Sequence, residues 1–108
     1  MFKTQLTLPQ MKGQAKKAVS LLKLLGNEDR LMLLCQLAQE ECSVGQLEGM
    51  LEIHQPTLSQ QLGVLRLAEL VATRKEGKQV YYRMADEAAI AVINTLYSLY
   101  CNEPGNPS

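Results

Sequence analysis

Three thiols, Cys35, Cys42 and Cys101, and a single imidazole, His54, are the most versatile side chains in this sequence of 108 residues. A thiol can fill space, close a disulfide, hold a soft metal or attack an electrophile, and its neighbourhood selects among these. Cys35 lies inside "LMLLCQLA", and Cys101 ends the apolar run "AAIAVINTLYSLYC". Both stretches have helical apolar spacing, so each thiol sits on a helix that could pack against another. Cys42 precedes Ser43, a helix N-cap candidate, and its thiol is expected to be exposed and somewhat acidified there. A closed zinc site takes four ligands, and these thiols have no strong fourth partner. No nucleophile–base pair, paired carboxylates or phosphate-cradling glycine loop is present, so the chain is not read as an enzyme.

A second constellation is polar and uncharged. "HQPTLSQQ" supplies Gln55, Thr57, Ser59, Gln60 and Gln61 at the start of a helical pattern. Amides and hydroxyls of this kind pair with adenine edges and with phosphate oxygens. Gln60 and Gln61 are adjacent and point apart; Gln60 is favoured for a groove, with Gln61 kept as a candidate. Arg74, Lys75 and Lys78 cluster around Gly77, where cations could straddle phosphates or enter a minor groove. A plain polar face or a solvated hairpin would explain either group alone. Together, at this spacing, they point to double-stranded DNA.

The elements that must position these residues follow from periodicity. Leu8, Met11, Ala15, Ala18, Leu22 and Leu25 recur at alternating three- and four-residue steps, the seam of a helix that packs on another helix. Gly26 stops it. Asn27 then caps a second helix whose first turn holds Glu28 and Asp29, with Leu31, Leu34, Cys35 and Ala38 on one face. Ser43 caps a short third helix with Val44, Leu47 and Leu51 inward. "EIHQ" is a turn, and "PTLSQQLGVLRLAEL" continues as a helix lined by Leu58, Leu62, Leu65 and Leu70, with Pro56 in its opening turn. "VATRK" and "QVYYRM" around Gly77 read as a β-hairpin. The last helix opens at Asp86 and Glu87 and is apolar almost all round, which calls for burial on more than one side.

The fold class is therefore mainly α with a small β-hairpin: helix, helix, short helix, turn, helix, hairpin, helix. This is a winged helix-turn-helix in one domain, residues 1–108, with 1–7 and 102–108 expected to be flexible. The apolar first and last helices call for a homodimer, which would set two recognition helices about 34 Å apart on a palindromic site. Net charge is zero, yet it is distributed in blocks: +4 over residues 1–30, −4 over 31–53, +3 over 54–84 and −3 over 85–108. Alternating blocks allow one basic face on a neutral molecule. The opening "MFKTQLTLPQMKGQAKK" lacks an apolar core of a signal peptide, and no run reaches the ~20 apolar residues of a membrane span. A cytoplasmic location is expected, with no membrane partner, where transient redox pairs are permitted and permanent disulfides are rare.

"SVGQLEGMLEIHQPTLSQQLGVLRLAELVATRKEGKQVYY" resembles the ArsR/SmtB family of winged-helix repressors. "LSQQLGVLRLAELV" and "RKEGKQVYY" carry its most specific part, and the likeness runs from about Ala15 to Cys101. His54 stands where the family usually has a Ser or Thr helix cap. Two metal sites of the family are unmatched: the positions of a Cys-x-Cys are Ser43 and Gly45, and those of an Asp-x-His are Asp86 and Ala88. Cys35 together with "LYC" resembles the dithiol branch represented by BigR, SqrR and HlyU. That resemblance implies a repressor whose two thiols, here Cys35 and Cys101, join as a disulfide or polysulfide and lower DNA affinity. The implied effector is a reactive sulfur species or oxidant, the implied targets are sulfide-handling genes, and no cofactor or resident metal is implied. A thiolate metal sensor, a counter-silencing activator and an interaction module without DNA binding are the alternatives.

Overall fold

Short polar side chains set the starts of four of the five helices. The computed structural model describes residues 5–101. Helix α1 spans Leu8–Leu25, and its N-cap Thr7 forms a capping box with Gln10. Thr7 Oγ1 accepts from the Gln10 amide at 3.3 Å, and Gln10 Oε1 accepts from the Thr7 amide at 2.9 Å. Part of the expected flexible N-terminus is thus an ordered cap; Met1–Thr4 and the proposed flexible tail 102–108 lie outside the described residues. Helix α2 spans Glu28–Gln39 behind the Asn27 cap, as its sequence requires.

Helix α2 is the central element. It packs against α1, against α3 (Val44–Leu51), against α4 (Thr57–Leu67), against strand β3 (Gln79–Met84) and against α5 (Glu87–Tyr100). Because it is surrounded, it buries a wider arc than one stripe. Leu33, Leu34 and Leu37 are fully enclosed, while Leu31, Cys35 and Ala38 sit half-buried on the shoulder. The expected core face of Leu31, Leu34, Cys35 and Ala38 is therefore rotated by about one residue. Cys35 ends up at the margin of the core.

A two-residue strand, β1 (Cys42–Ser43), precedes α3 and pairs antiparallel with β3, Cys42 opposite Tyr82 and Ser43 opposite Tyr81. With β2 (Val71–Glu76) the sheet order is β1-β3-β2. Two residues show no periodicity, so nothing in the sequence marks this strand. Ser43 works twice: it pairs in the sheet, and it caps α3 through a capping box with Gln46. Replacing Ser43 by Ala is expected to cost about 0.5–2 kcal/mol of stability, read as a lower urea midpoint at unchanged slope.

Helix α4 ends earlier than the apolar pattern suggests. It stops at Leu67, Glu69 takes a left-handed conformation at φ 61°, and the Leu70 amide donates to the Leu65 carbonyl at 3.1 Å. Leu70 is buried, as expected, but in the link to the wing. Its carbonyl accepts from Ala85 at 2.9 Å, which closes the base of the β2–β3 hairpin. The hairpin register runs from Val71 opposite Met84 to Glu76 opposite Gln79. Gly77, at φ 62°, turns the chain where a Cβ would be strained.

Asp86 caps α5 by accepting from the Ala89 amide at 2.8 Å. Within one chain α5 encloses only Ala89 and Ile93. Leu99 and Tyr100 stay 63% and 74% exposed. The α1 seam fares similarly: Leu25 is buried, whereas Leu8, Met11 and Leu22 face outward. The radius of gyration is 15.9 Å, against about 13 Å for a compact chain of this length. Only the C-terminal end of the α1 seam is covered within the described residues, and the rest stays open to solvent.

Candidate DNA-reading face and thiol pair

Leu58, Leu62 and Leu65 turn one side of α4 into the core. At 100° per residue this places Gln60 on the opposite side, with Ser59 on the flank, and both are exposed. Helix α4 has no cap from Pro56; instead Gln55 Oε1 accepts from the Ser59 amide at 3.1 Å. Gln55 is thus engaged at the helix start, and Thr57 is half-buried beside it. His54, expected at a helix cap, lies two residues before the N-cap Pro56 and is exposed, with Nδ1 3.5 Å from Glu48 Oε2.

Gln61 departs from the expectation of a groove residue. It is half-buried, and its Oε1 accepts from Arg30 Nη1 at 2.9 Å. Arg30 also donates from Nε to the Leu24 carbonyl at 2.7 Å and from Nη2 to the Lys23 carbonyl at 3.2 Å. One guanidinium therefore covers the C-terminal carbonyls of α1 and fastens them to α4, with its charge at the favourable end of the helix dipole. This joint was invisible in the sequence, because its partners lie 31 residues apart.

The wing separates the three cations named above, and a fourth, Arg83, is exposed on β3. Lys75 and Lys78 are exposed, and among the described residues neither forms an ion pair. Arg74 lies within β2 rather than at the tip, and it is not free. Its Nε and Nη2 donate to the two carboxylate oxygens of Glu41 at 2.9 and 2.8 Å, and Nη1 donates to Glu76. Its guanidinium also stacks on the Tyr81 ring, 4.5 Å from the centroid. The hydrogen bond from Arg74 holds the Glu41 carboxyl below the usual carboxylate range. Exposed Arg66, in the last turn of α4, adds a cation that the motif reading did not single out; its place in the helix that carries Gln60 is the signal that could have found it.

The thiols fall into two environments. Helix α5 packs along α2 and ends at Cys101, which is exposed and whose amide donates to the Tyr97 carbonyl at 2.8 Å. Cys35 is half-buried on α2, beside a cleft of about 250 Å³ lined by Leu31, Met32, Gln36, Gln39 and Leu51. Burial pushes the Cys35 thiol up, and negative charge on Cys101 pushes it further in the same direction. Cys101 is thus near enough for its charge to be felt at Cys35. Both are free thiols.

Cys42 corrects the reading of an exposed, acidified thiol. Strand β1 encloses it to 1% exposure. Gln36 Nε2 lies 3.8 Å from its sulfur, and its S–H donates to the Glu40 carbonyl at 3.5 Å. Burial raises its pKa, outweighing the Gln36 hydrogen bond. Among the described residues no three His, Cys, Asp or Glu side chains converge as a metal site. No helix among the described residues is long and apolar enough to cross a membrane.

Residues 27–73 match the family model for bacterial regulatory proteins of the arsR family. The biofilm growth-associated repressor of Agrobacterium fabrum is 53% identical over 97 residues, which are 90% of this chain and 83% of that relative. The chain belongs to the ArsR family. Its helix-turn-helix and wing are those of an ArsR-type transcriptional regulator, and its relatives are DNA-binding regulators, not enzymes. Reduced HlyU from Vibrio cholerae superposes on this ArsR-family chain with a TM-score of 0.84 at 46% identity, covering 87% of this chain and 99% of that one. The repressor BigR from Xylella fastidiosa gives 0.82 at 45% identity, covering 91% and 100%.

Proposed function

We propose that this ArsR-family regulator is a homodimeric, cytoplasmic repressor that releases a palindromic operator when Cys35 and Cys101 become joined by oxidised sulfur. One observation carries the reading: the helix bearing Cys35 packs on the helix ending at Cys101. The proposed signal is a persulfide. The Cys35 thiolate attacks the outer sulfur of R–S–SH, forming Cys35–S–SH and releasing RS⁻. The Cys101 thiolate then attacks Cys35 Sγ, forming Cys35–S–S–Cys101 and expelling HS⁻. Addition of a further sulfane sulfur before closure gives a polysulfide link instead. Sulfide-handling genes are the proposed targets by family resemblance.

The dimer follows from the open apolar faces of α1 and α5, since surface of this kind in a small domain is covered by a second copy. A link between α2 and α5 acts on that same α5, and a shift of α5 resets the spacing of the two recognition helices. In the proposed complex Gln60 and Ser59 face the major groove from α4, and Lys75 and Lys78 hold phosphates from the wing. Gln60→Ala is expected to weaken specific binding by about 1–3 kcal/mol while leaving non-specific binding unchanged, as measured by fluorescence anisotropy on operator and scrambled duplexes.

The deciding experiment compares operator binding by the reduced protein and the persulfide-treated protein, with masses of the Cys35 and Cys101 peptides. Roughly 5–150-fold weaker binding with a linked peptide pair supports the reading. Linked peptides with unchanged binding overturn it. A second reading, activation by displacing a silencing protein, is favoured by the transcriptional activator HlyU of Vibrio cholerae, 45% identical over 96 residues. A promoter fusion in a strain lacking the regulator separates the two: expression rises on deletion of a repressor and falls on deletion of an activator.

A further inference from the structure

We infer that Glu41 is an internal stand-in for a DNA phosphate, occupying the wing's Arg74 until operator binding displaces it. The inference rests on the wing's proposed role at DNA. Arg74 presents its planar fork to both oxygens of Glu41, at 2.9 and 2.8 Å. A phosphodiester offers the same paired acceptors, so the guanidinium can exchange one for the other without changing its mode of contact. Stacking on Tyr81 keeps the fork in plane throughout.

Position makes the contact a competition. Glu41 lies outside the wing, between α2 and β1, so the bond runs from the wing to the body of the molecule. The two side chains are 43% and 30% exposed. Exposed ion pairs of this kind contribute little net stability, because water and salt screen them. A phosphate arriving under strong DNA charge is therefore able to displace the carboxylate. Lys75 and Lys78 have no such internal partner among the described residues, and they make first contact. The wing thus carries one cation in reserve, and its affinity falls short of its count of basic residues.

The full-length protein is tested by anisotropy across a salt series, on a duplex that the wild type selects from a random-sequence pool and on a scrambled duplex. Glu41→Gln is expected to tighten binding to the selected duplex about threefold at low salt. The log–log salt slope should stay near the wild type's, since Arg74 holds a phosphate in both complexes, whereas Arg74→Gln should flatten it by about 0.9. Glu40→Gln is the charge-matched control, since Glu40 is exposed and makes no bond to Arg74 among the described residues. In an Arg74→Gln background, Glu41→Gln should do no more than Glu40→Gln does. A wild-type slope for Arg74→Gln, or unchanged or weaker binding by Glu41→Gln, overturns the inference and makes the contact a strut that orders the wing. A wild type that selects no duplex at all defeats the DNA role of the wing itself, a different outcome from failure of the exchange.

Discussion

Cys35→Ser and Cys101→Ser proteins are expected to bind operator as the reduced wild type does and to keep it after persulfide treatment. The wild type should lose roughly 5–150-fold in affinity under the same treatment, the usual range of coupling between two sites. Serine replaces sulfur with a smaller, non-nucleophilic oxygen, so each variant removes one end of the link while keeping nearly the same shape. Cys35 is only half-buried and Cys101 is exposed, so neither change opens a core cavity. Cys42→Ser is the internal control. It places a hydroxyl in an enclosed strand position, lowers stability, and leaves the response intact.

The same pair predicts a pH dependence. Burial and the Cys101 charge both raise the Cys35 pKa, so the thiol form dominates at neutral pH. Only the thiolate attacks, and its fraction grows about tenfold per pH unit below the pKa. The rate of Cys35 modification should therefore climb with pH past the point where an ordinary thiol levels off. Quenched-flow alkylation followed by mass spectrometry reads this directly. Release of operator by both single Ser variants on treatment would remove the thiol pair from the mechanism.

The second large effect is structural. Leu65→Ala is expected to destabilise the protein by about 2–5 kcal/mol. That is a large share of the roughly 5–15 kcal/mol that holds a typical domain together. Leu65 has no solvent exposure, and it stands on α4 against the core while its carbonyl accepts the Leu70 amide that starts the wing. Its truncation loosens α4 and the start of the wing. Urea unfolding at fixed protein concentration should show the loss, and operator binding should fall in step with the folded fraction. A loss below about 1 kcal/mol would mean that the core collapses around the gap and that α4 is less tightly held than its burial implies.

The starts of α2, α3 and α5 are legible because capping is local. Asn27, Ser43 and Asp86 bond to amides three residues on, and those partners can be read from the chain itself. The hairpin was legible for the same reason, with Gly77 supplying the turn that its two β-rich flanks require. Adjacency separates Gln60 from Gln61, and the inward leucines turn Gln60 outward on α4. The contacts that occupy Arg74 and Gln61 are long-range. Arg74 meets Glu41 across 33 residues, and Gln61 meets Arg30 across 31.

Amino-acid order by itself determined five helices, a wing and the polar, uncharged start of the reading helix, because periodicity and capping act within one or two turns. Tertiary structure alone decided which charges and thiols are available. Strand β1 exists only because β3 is beside it, and that pairing buries Cys42. Arg74 is occupied only because the fold carries Glu41 to it, and Cys35 feels Cys101 only because α5 lies on α2. Electrostatic and sulfur chemistry fall off steeply over a few ångströms, and only the folded chain sets those separations.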